Sequence, residues 1–180
     1  MILKKRMEGK AVNIRSAEID DAEFILTLRL DPDLNKHIGR TSPSIEDQKE
    51  WIRQQQKKSD DFYLILENTN GERIGTGGIY NITDTKFSIG RWIIQKNTAP
   101  KIALESIMMV YHFCFFELGL ETANFDVRQE NKSVINYHLS YGAEIYSSPE
   151  SEVYFQFKKA DFKKMLLKFE RYHSICMDFN

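Results

Sequence analysis

The chain predicts one α/β domain built on a mixed sheet, and three observations carry that expectation. Strand-like and helix-like runs alternate along the chain without an intervening linker. Three strands in the middle follow one another through short turns, as an antiparallel meander does. A long helix then separates two strands, which must run parallel and cross over right-handedly if they are neighbours in one sheet. At 180 residues the chain is long enough for one sizeable core, and no repeat, low-complexity tract or Pro/Gly-rich stretch divides it. Residues 1–180 are therefore expected to form a single domain.

The elements follow in order. Residues 11–15 alternate as a strand. Asp20 and Glu23 are spaced as a capping box, with a helix running from there to about residue 30 and stopping before "DPD", where Pro32 restricts Asp31. A second helix begins at "SPSIEDQKEWI", with Ser42 as the cap, Pro43 at the first helical position and acidic residues in the first turn. Residues 62–67 form a strand, "NTNGER" a hairpin turn, and 74–82 the next strand. Gly75, Gly77 and Gly78 interrupt that strand and predict a bulge or a close backbone approach. Residues 87–95 complete the meander. The long helix covers 100–118 and ends at Gly119, suited to a left-handed cap. A strand at 123–128, a short helix at 133–141 ended by Gly142, strands at 144–146 and 153–157, and a basic amphipathic helix over about 160–172 finish the chain.

Composition excludes some functions. Lys plus Arg number 25 and Asp plus Glu 26, so there is no long-range attraction for nucleic acid or an anionic membrane. The N-terminus lacks the continuous apolar stretch of a signal peptide, and the longest apolar run, within 107–116, is interrupted by His112 and too short to span a bilayer. Two cysteines, Cys114 and Cys176, make neither a metal knuckle nor a disulfide framework. A cytoplasmic protein without a metal is expected.

The topology also places a site. In open sheets ligands occupy the crevice beyond the carboxyl ends of parallel strands at a crossover. Here that crevice is bounded by 95–101 and 129–131. The first of these, "QKNTAPK", is a strand-to-helix turn whose following helix offers amides and a positive dipole to an anion, yet it contains no glycine.

Three local patterns add a resemblance: "VNIRSAEIDDAEFILTLRLDPDLNKHIG", "FSIGRWII" and "NKSVINYHLSYGAE". Together with the element order they resemble the GNAT superfamily of acyl-CoA N-acyltransferases, and within it the ribosomal-protein-acetyltransferase-like branch. The resemblance covers residues 12–157, and the third pattern is its most specific part. It implies acetyl-CoA as the acetyl donor, with the pantetheine arm along "FSIGRWII". A backbone amide near Ile93 or Ile94 would then polarise the thioester carbonyl. In the family's phosphate turn a polar residue precedes two glycines. Lys96 stands at the polar position here, Ala99 and Lys101 where the glycines would be, and Ile102 follows. Asn131 opens the short helix, where it would orient the pantetheine or the helix start.

Direct amide formation needs a neutral amine, a donor for the developing oxyanion and a proton for the departing thiolate. The resemblance places a proton donor seven residues after the helix-starting asparagine, at His138, with Tyr137 as its rival on a different helical face. Asp126 is the candidate base. Arg29, His37, Tyr80, Asn81 and Arg91 lie on segments that, by the resemblance, frame the acceptor groove. "SIGRWII" followed by "APKIALES" looks most like enzymes acetylating amino-sugar nucleotides, whose diphosphate would suit Arg29 or Arg91. A protein N-terminus or a small free amine is the alternative acceptor, and a non-catalytic binding module of the same fold stays open. The partner expected is a small-molecule amine, with a homodimer compatible.

Overall fold

The computed structural model describes residues 1–36 and 39–175. Eight described strands form one sheet in the order β1-β2-β3-β4-β5-β6-β8-β7. These are β1 (Met7–Glu8), β2 (Val12–Ser16), β3 (Phe62–Asn68), β4 (Arg73–Tyr80), β5 (Lys86–Ile94), β6 (Thr122–Arg128), β7 (Glu144–Ser147) and β8 (Glu152–Lys158). Every pairing is antiparallel except β5 with β6, the two strands joined by the long helix. The mixed sheet and its parallel pair are those the sequence predicts; the two-residue β1 is not.

Helices cover both faces because successive strand residues point to opposite sides. Phe62, Leu64 and Leu66 of β3 face a large core shared with α3 (Pro100–His112) and α5 (Lys159–Lys168). Tyr63 and Ile65 face a smaller core closed by α1 (Ala22–Leu30) and α2 (Ile45–Lys57). The fifth helix, α4 (Lys132–Ser140), lies against the large core through Ile135. Each fully buried aliphatic or aromatic side chain here stabilises by about 1.5–3 kcal/mol relative to exposure.

Helix boundaries shift where capping chemistry differs from the expected pattern. Asp21, rather than the Asp20/Glu23 pair, turns back onto the chain, accepting the Glu18 N–H at 2.8 Å. Asp21 also takes two hydrogen bonds from Arg15, at 2.6 and 2.8 Å. Ser44, not Ser42, caps α2 by accepting the Asp47 N–H at 3.2 Å, leaving Pro43 outside the helix. The long helix does not stay regular to residue 118. After His112 it widens into a π-turn, Phe113–Glu117, in which the Leu118 N–H reaches the Phe113 carbonyl at 3.0 Å. The extra residue keeps Cys114 and Phe115 in the core, and Gly119, at φ 72°, then reverses the chain.

Candidate active site

The site begins where two neighbouring strands part. β5 and β6 pair from Lys86 opposite Thr122 to Ser88 opposite Asn124, and the ladder stops there. Beyond it, 89–94 and 125–128 face one another across an opening. The cause is a bulge in β5. Gly90 lies opposite Gly78 and Ile93 opposite Thr76, so Arg91 and Trp92 together face the single Gly77. A bulge bends its strand and increases its twist, which turns the end of β5 away from β6.

The β4 glycines predicted to mark a bulge or close approach sit beneath it. A Cβ on Gly77 would lie 2.6 Å from the Trp92 ring, and one on Gly78 3.0 Å from Arg91 Cδ. Arg91 itself has φ 57°, a left-handed conformation uncommon for a residue with a side chain. The bulge also reverses the strand's facing. Phe87 and Ile89 point into the large core, and after the bulge Trp92 and Ile94 do so again. Arg91 is sent to the opposite face, towards α2. There its guanidinium grips Asp61 with two hydrogen bonds, 2.7 and 3.0 Å, and lies 4.6 Å from the Tyr80 ring and 5.3 Å from the Trp51 ring.

A cavity of about 320 Å³ opens beside this residue, lined by Arg29, Arg40, Gln48, Trp51, Tyr63 and Arg91 among others. Arg29 is steadied by a 2.9 Å hydrogen bond from its Nε to Thr41 Oγ1. Three guanidinium groups and an aromatic ring in one concave space suit an anionic ligand with a flat or ring-shaped part. A larger groove of about 1020 Å³ runs along residues 2–9 and the end of α3, and none of the predicted site residues lines it.

On the other face α4 supplies the candidate acids. Asn131 caps it, its side chain accepting the Val134 N–H at 3.4 Å. His138 is only 7 % exposed and packs tilted against Phe125, with ring centres 4.3 Å apart. Its Nδ1 meets the Tyr141 hydroxyl, which in turn lies 3.2 Å from the Tyr111 hydroxyl. Burial pulls the His138 imidazole down from its ordinary 6.5 to about 3, so the ring is neutral near pH 7. Tyr137 differs. Its hydroxyl is buried with no hydrogen-bond partner among the described residues, and burial pushes its phenol up, holding the proton on oxygen.

The remaining predicted residues are distributed around these two faces. Asp126 is on the Arg91 side of β6, opposite in facing to Phe125 and Val127, which enter the large core. Desolvation, with Glu152 adding repulsion, raises its carboxyl above the usual range. Tyr80 shares that side; burial, followed by the charge of Asp126, raises its phenol. Asn81 is exposed at φ 52° in the turn after β4. Ile93 and Ile102 are buried, and Ile94 packs at the edge of the large core. Ala99 caps α3 in an extended conformation without a side-chain hydrogen bond, and Lys101 is exposed on the first turn. Lys96 is held by Asp33 at 2.7 Å and Asp31 at 3.1 Å. His37 lies outside the described residues.

Sequence reasoning missed Asp61, Arg40 and Tyr141. "SDDF" reads as a polar loop, and nothing local announces that its second aspartate meets an arginine thirty residues on. Tyr141 carried a faint signal, because it follows His138 by one helical turn.

The residues present fit an acyl-CoA thioester. An unpaired stretch of β5 leads towards the start of α3, whose first turn has no side-chain cap, and α4 carries a buried hydroxyl without a hydrogen-bond partner among the described residues. Among the described residues no group of three metal-ligating side chains occurs, and no helix is long and apolar enough to cross a membrane.

Comparison with known proteins bears on the family and the fold. Residues 12–144 match the model of the acetyltransferase (GNAT) domain. The fold is similar to apo FdhC, described as a nucleotide-linked sugar GNAT, at 30 % identity and a TM-score of 0.84, over 94 % of this chain and 99 % of that one. It is also similar to spermidine N-acetyltransferase from Vibrio cholerae in complex with CoA and spermine, at 14 % identity and a TM-score of 0.76, over 84 % and 97 % of the two chains. At that identity the second likeness bears on fold alone. None of the curated proteins matches the chain.

Proposed function

The chain belongs to the GNAT acetyltransferase family, and we propose that the amine it acetylates belongs to an amino-sugar nucleotide. It is an acyltransferase, with acetyl-CoA as donor. The observation that carries the acceptor assignment is the cavity holding Arg29, Arg40 and Arg91 around Trp51. A nucleotide diphosphate brings two negative charges and an aromatic base, and guanidinium groups bind the first while an indole stacks on the second. The similarity to a nucleotide-linked sugar GNAT supports the same reading. A polyamine fits less well, since its ammonium groups would meet Arg29 and Arg40 with Asp47 as the lining carboxylate, the charge of Arg91 being already paired with Asp61.

Acetyl-CoA would supply the activated acetyl group; the open edge of β5 would hold its thioester arm, and Ala99, Lys101 and the start of α3 would hold its phosphates. Asn131 sets the start of α4, and Ile93, Ile94 and Ile102 form the apolar wall. Asp126 accepts a proton from the acceptor ammonium, a task its raised carboxyl suits. Tyr137 holds on its hydroxyl the proton that the departing sulfur requires. His138, neutral and bonded to Tyr141, orients the helix that carries Tyr137. Lys96, already engaged with two carboxylates, contributes at most part of its charge to a phosphate.

The test is a direct competition between acceptors with acetyl-CoA as donor. An amino-sugar nucleotide is expected to be acetylated faster than spermidine or an N-terminal peptide. Arg40→Ala is expected to raise its KM about tenfold, the loss of one charge-assisted contact. Faster acetylation of spermidine or the peptide overturns the sugar assignment and leaves the acetyltransferase intact.

A further inference from the structure

The Arg91–Asp61 pair joins the acceptor cavity to the strand edge across which acetyl transfer is proposed. Arg91 is the extra residue of the bulge, and its backbone is in a conformation that a free chain rarely adopts. Several contacts hold it there. Thr76 Oγ1 donates to the Arg91 carbonyl at 3.0 Å, and Asp61 takes both arms of the guanidinium. Asp61 is 2 % exposed and does not line the cavity, whereas Arg91 does. Gln55 steadies it from α2, Nε2 donating to the Asp61 carbonyl at 2.7 Å and to Oδ1 at 3.3 Å. A left-handed backbone at a non-glycine residue is strained and persists only where surroundings over-determine it. A two-pronged ion pair whose carboxylate is buried supplies that determination.

We propose that Asp61 is a positioning residue for acetyl transfer: through Arg91 it fixes the β5 bulge, and with it the placement of the 92–94 edge against which the acetyl donor lies. The assignment rests on the β5–β6 opening being the transfer site, but not on the identity of the acceptor. Asp61 touches neither substrate. Its effect is to keep the strand parted from β6 and its unpaired amides in one orientation. Because the same guanidinium lines the acceptor cavity, an acceptor binding there meets a strand already set.

The experiment compares Asp61→Asn with the unaltered protein in three measurements. Asn keeps the shape and removes the charge that grips both arms. A fall in kcat of about tenfold is expected, within the range that small misplacements of reacting groups produce, with acceptor KM changed less than threefold. In the absence of any substrate, hydrogen exchange of peptides covering 89–95 is expected to quicken, while 122–128 and 152–158 keep their protection. A lowered melting temperature with kcat and the 89–95 exchange unchanged reduces Asp61 to a structural ion pair and overturns the proposal. Should Asp61→Asn fail to fold, Arg91→Gly against Arg91→Ala decides. Both remove the guanidinium, but only glycine takes the left-handed backbone without strain. Arg91→Gly is expected to retain at least fivefold more kcat than Arg91→Ala, and equal values overturn the proposal. The exchange measurement needs no turnover, so failure to find the acceptor does not obscure it.

Discussion

Replacing His138 by Phe is expected to flatten the dependence of stability on pH. In the unfolded chain the imidazole titrates at its ordinary 6.5, and in the folded protein burial among Phe125, Phe155, Tyr137 and Tyr141 lowers it to about 3. Between these values the unfolded state binds a proton that the folded state refuses. Stability therefore falls as pH falls through 6.5 and stops falling on this account near 3. At pH 4.5, two units below the unfolded value, the difference reaches up to about 2.7 kcal/mol at 1.36 kcal/mol per unit. Phe keeps an aromatic ring packed in this pocket and removes the titration. It also leaves Tyr141 with Tyr111 as its hydroxyl partner, a loss of about 1 kcal/mol that does not vary with pH. Urea unfolding followed through Trp51 and Trp92 at pH 7.5, 6.5, 5.5 and 4.5 gives both curves. The His112 ring, also pulled down by burial, contributes equally to each protein and cancels in the difference. The variant should start below the unaltered protein at pH 7.5 and overtake it by pH 4.5. Parallel curves over this range would refute the idea that His138 is buried neutral.

Two further outcomes follow from the same site. Tyr137→Phe should lower kcat about a hundredfold, the contribution of one general acid, while leaving the acetyl-CoA-induced rise in melting temperature intact. Stability should hold or rise slightly, because an unpartnered buried hydroxyl is removed; retained turnover would take Tyr137 out of the chemistry. Lys101→Glu should shrink the acetyl-CoA-induced melting shift by placing a negative charge on the first turn of α3, whereas Ala99→Gly should leave it unchanged or larger. An undiminished shift in Lys101→Glu would exclude this turn from phosphate binding.

Much of the fold was readable because periodicity and punctuation are local. The meander, the crossover helix and the end glycines at 119 and 142 all announce themselves within a few residues. Helix starts were less so, since "SPS" offers two serines and only the folded chain chooses Ser44. The π-turn leaves no mark in a run of aromatics that would suit a regular helix equally. The site divides the same way. Glycines in β4 signalled a close approach, but the partner of Arg91 is Asp61, thirty residues away and named by no pattern. Arg29 and Arg91 do line one cavity, while its third arginine, Arg40, stood in a segment with no periodicity to place it. Nothing in the sequence weighs His138 against Tyr137, because the desolvation that lowers the imidazole and raises the phenol belongs to the assembled core rather than to the helix they share.

β5 can also be considered with one residue struck out. Without Arg91 the strand would read Phe-Ser-Ile-Gly-Trp-Ile-Ile, and Phe87, Ile89, Trp92 and Ile94 would fall on one side by simple alternation. The apolar lettering is thus that of an uninterrupted strand, with a single cation spliced into its middle. Such a splice leaves the hydrophobic message to the large core intact while introducing charge, curvature and a gap on the other side. In this strand the alternation that packs the core and the residue that opens the cleft are distinct, and Ile93 and Ile94 alone are shared between packing and the wall proposed for the acetyl donor.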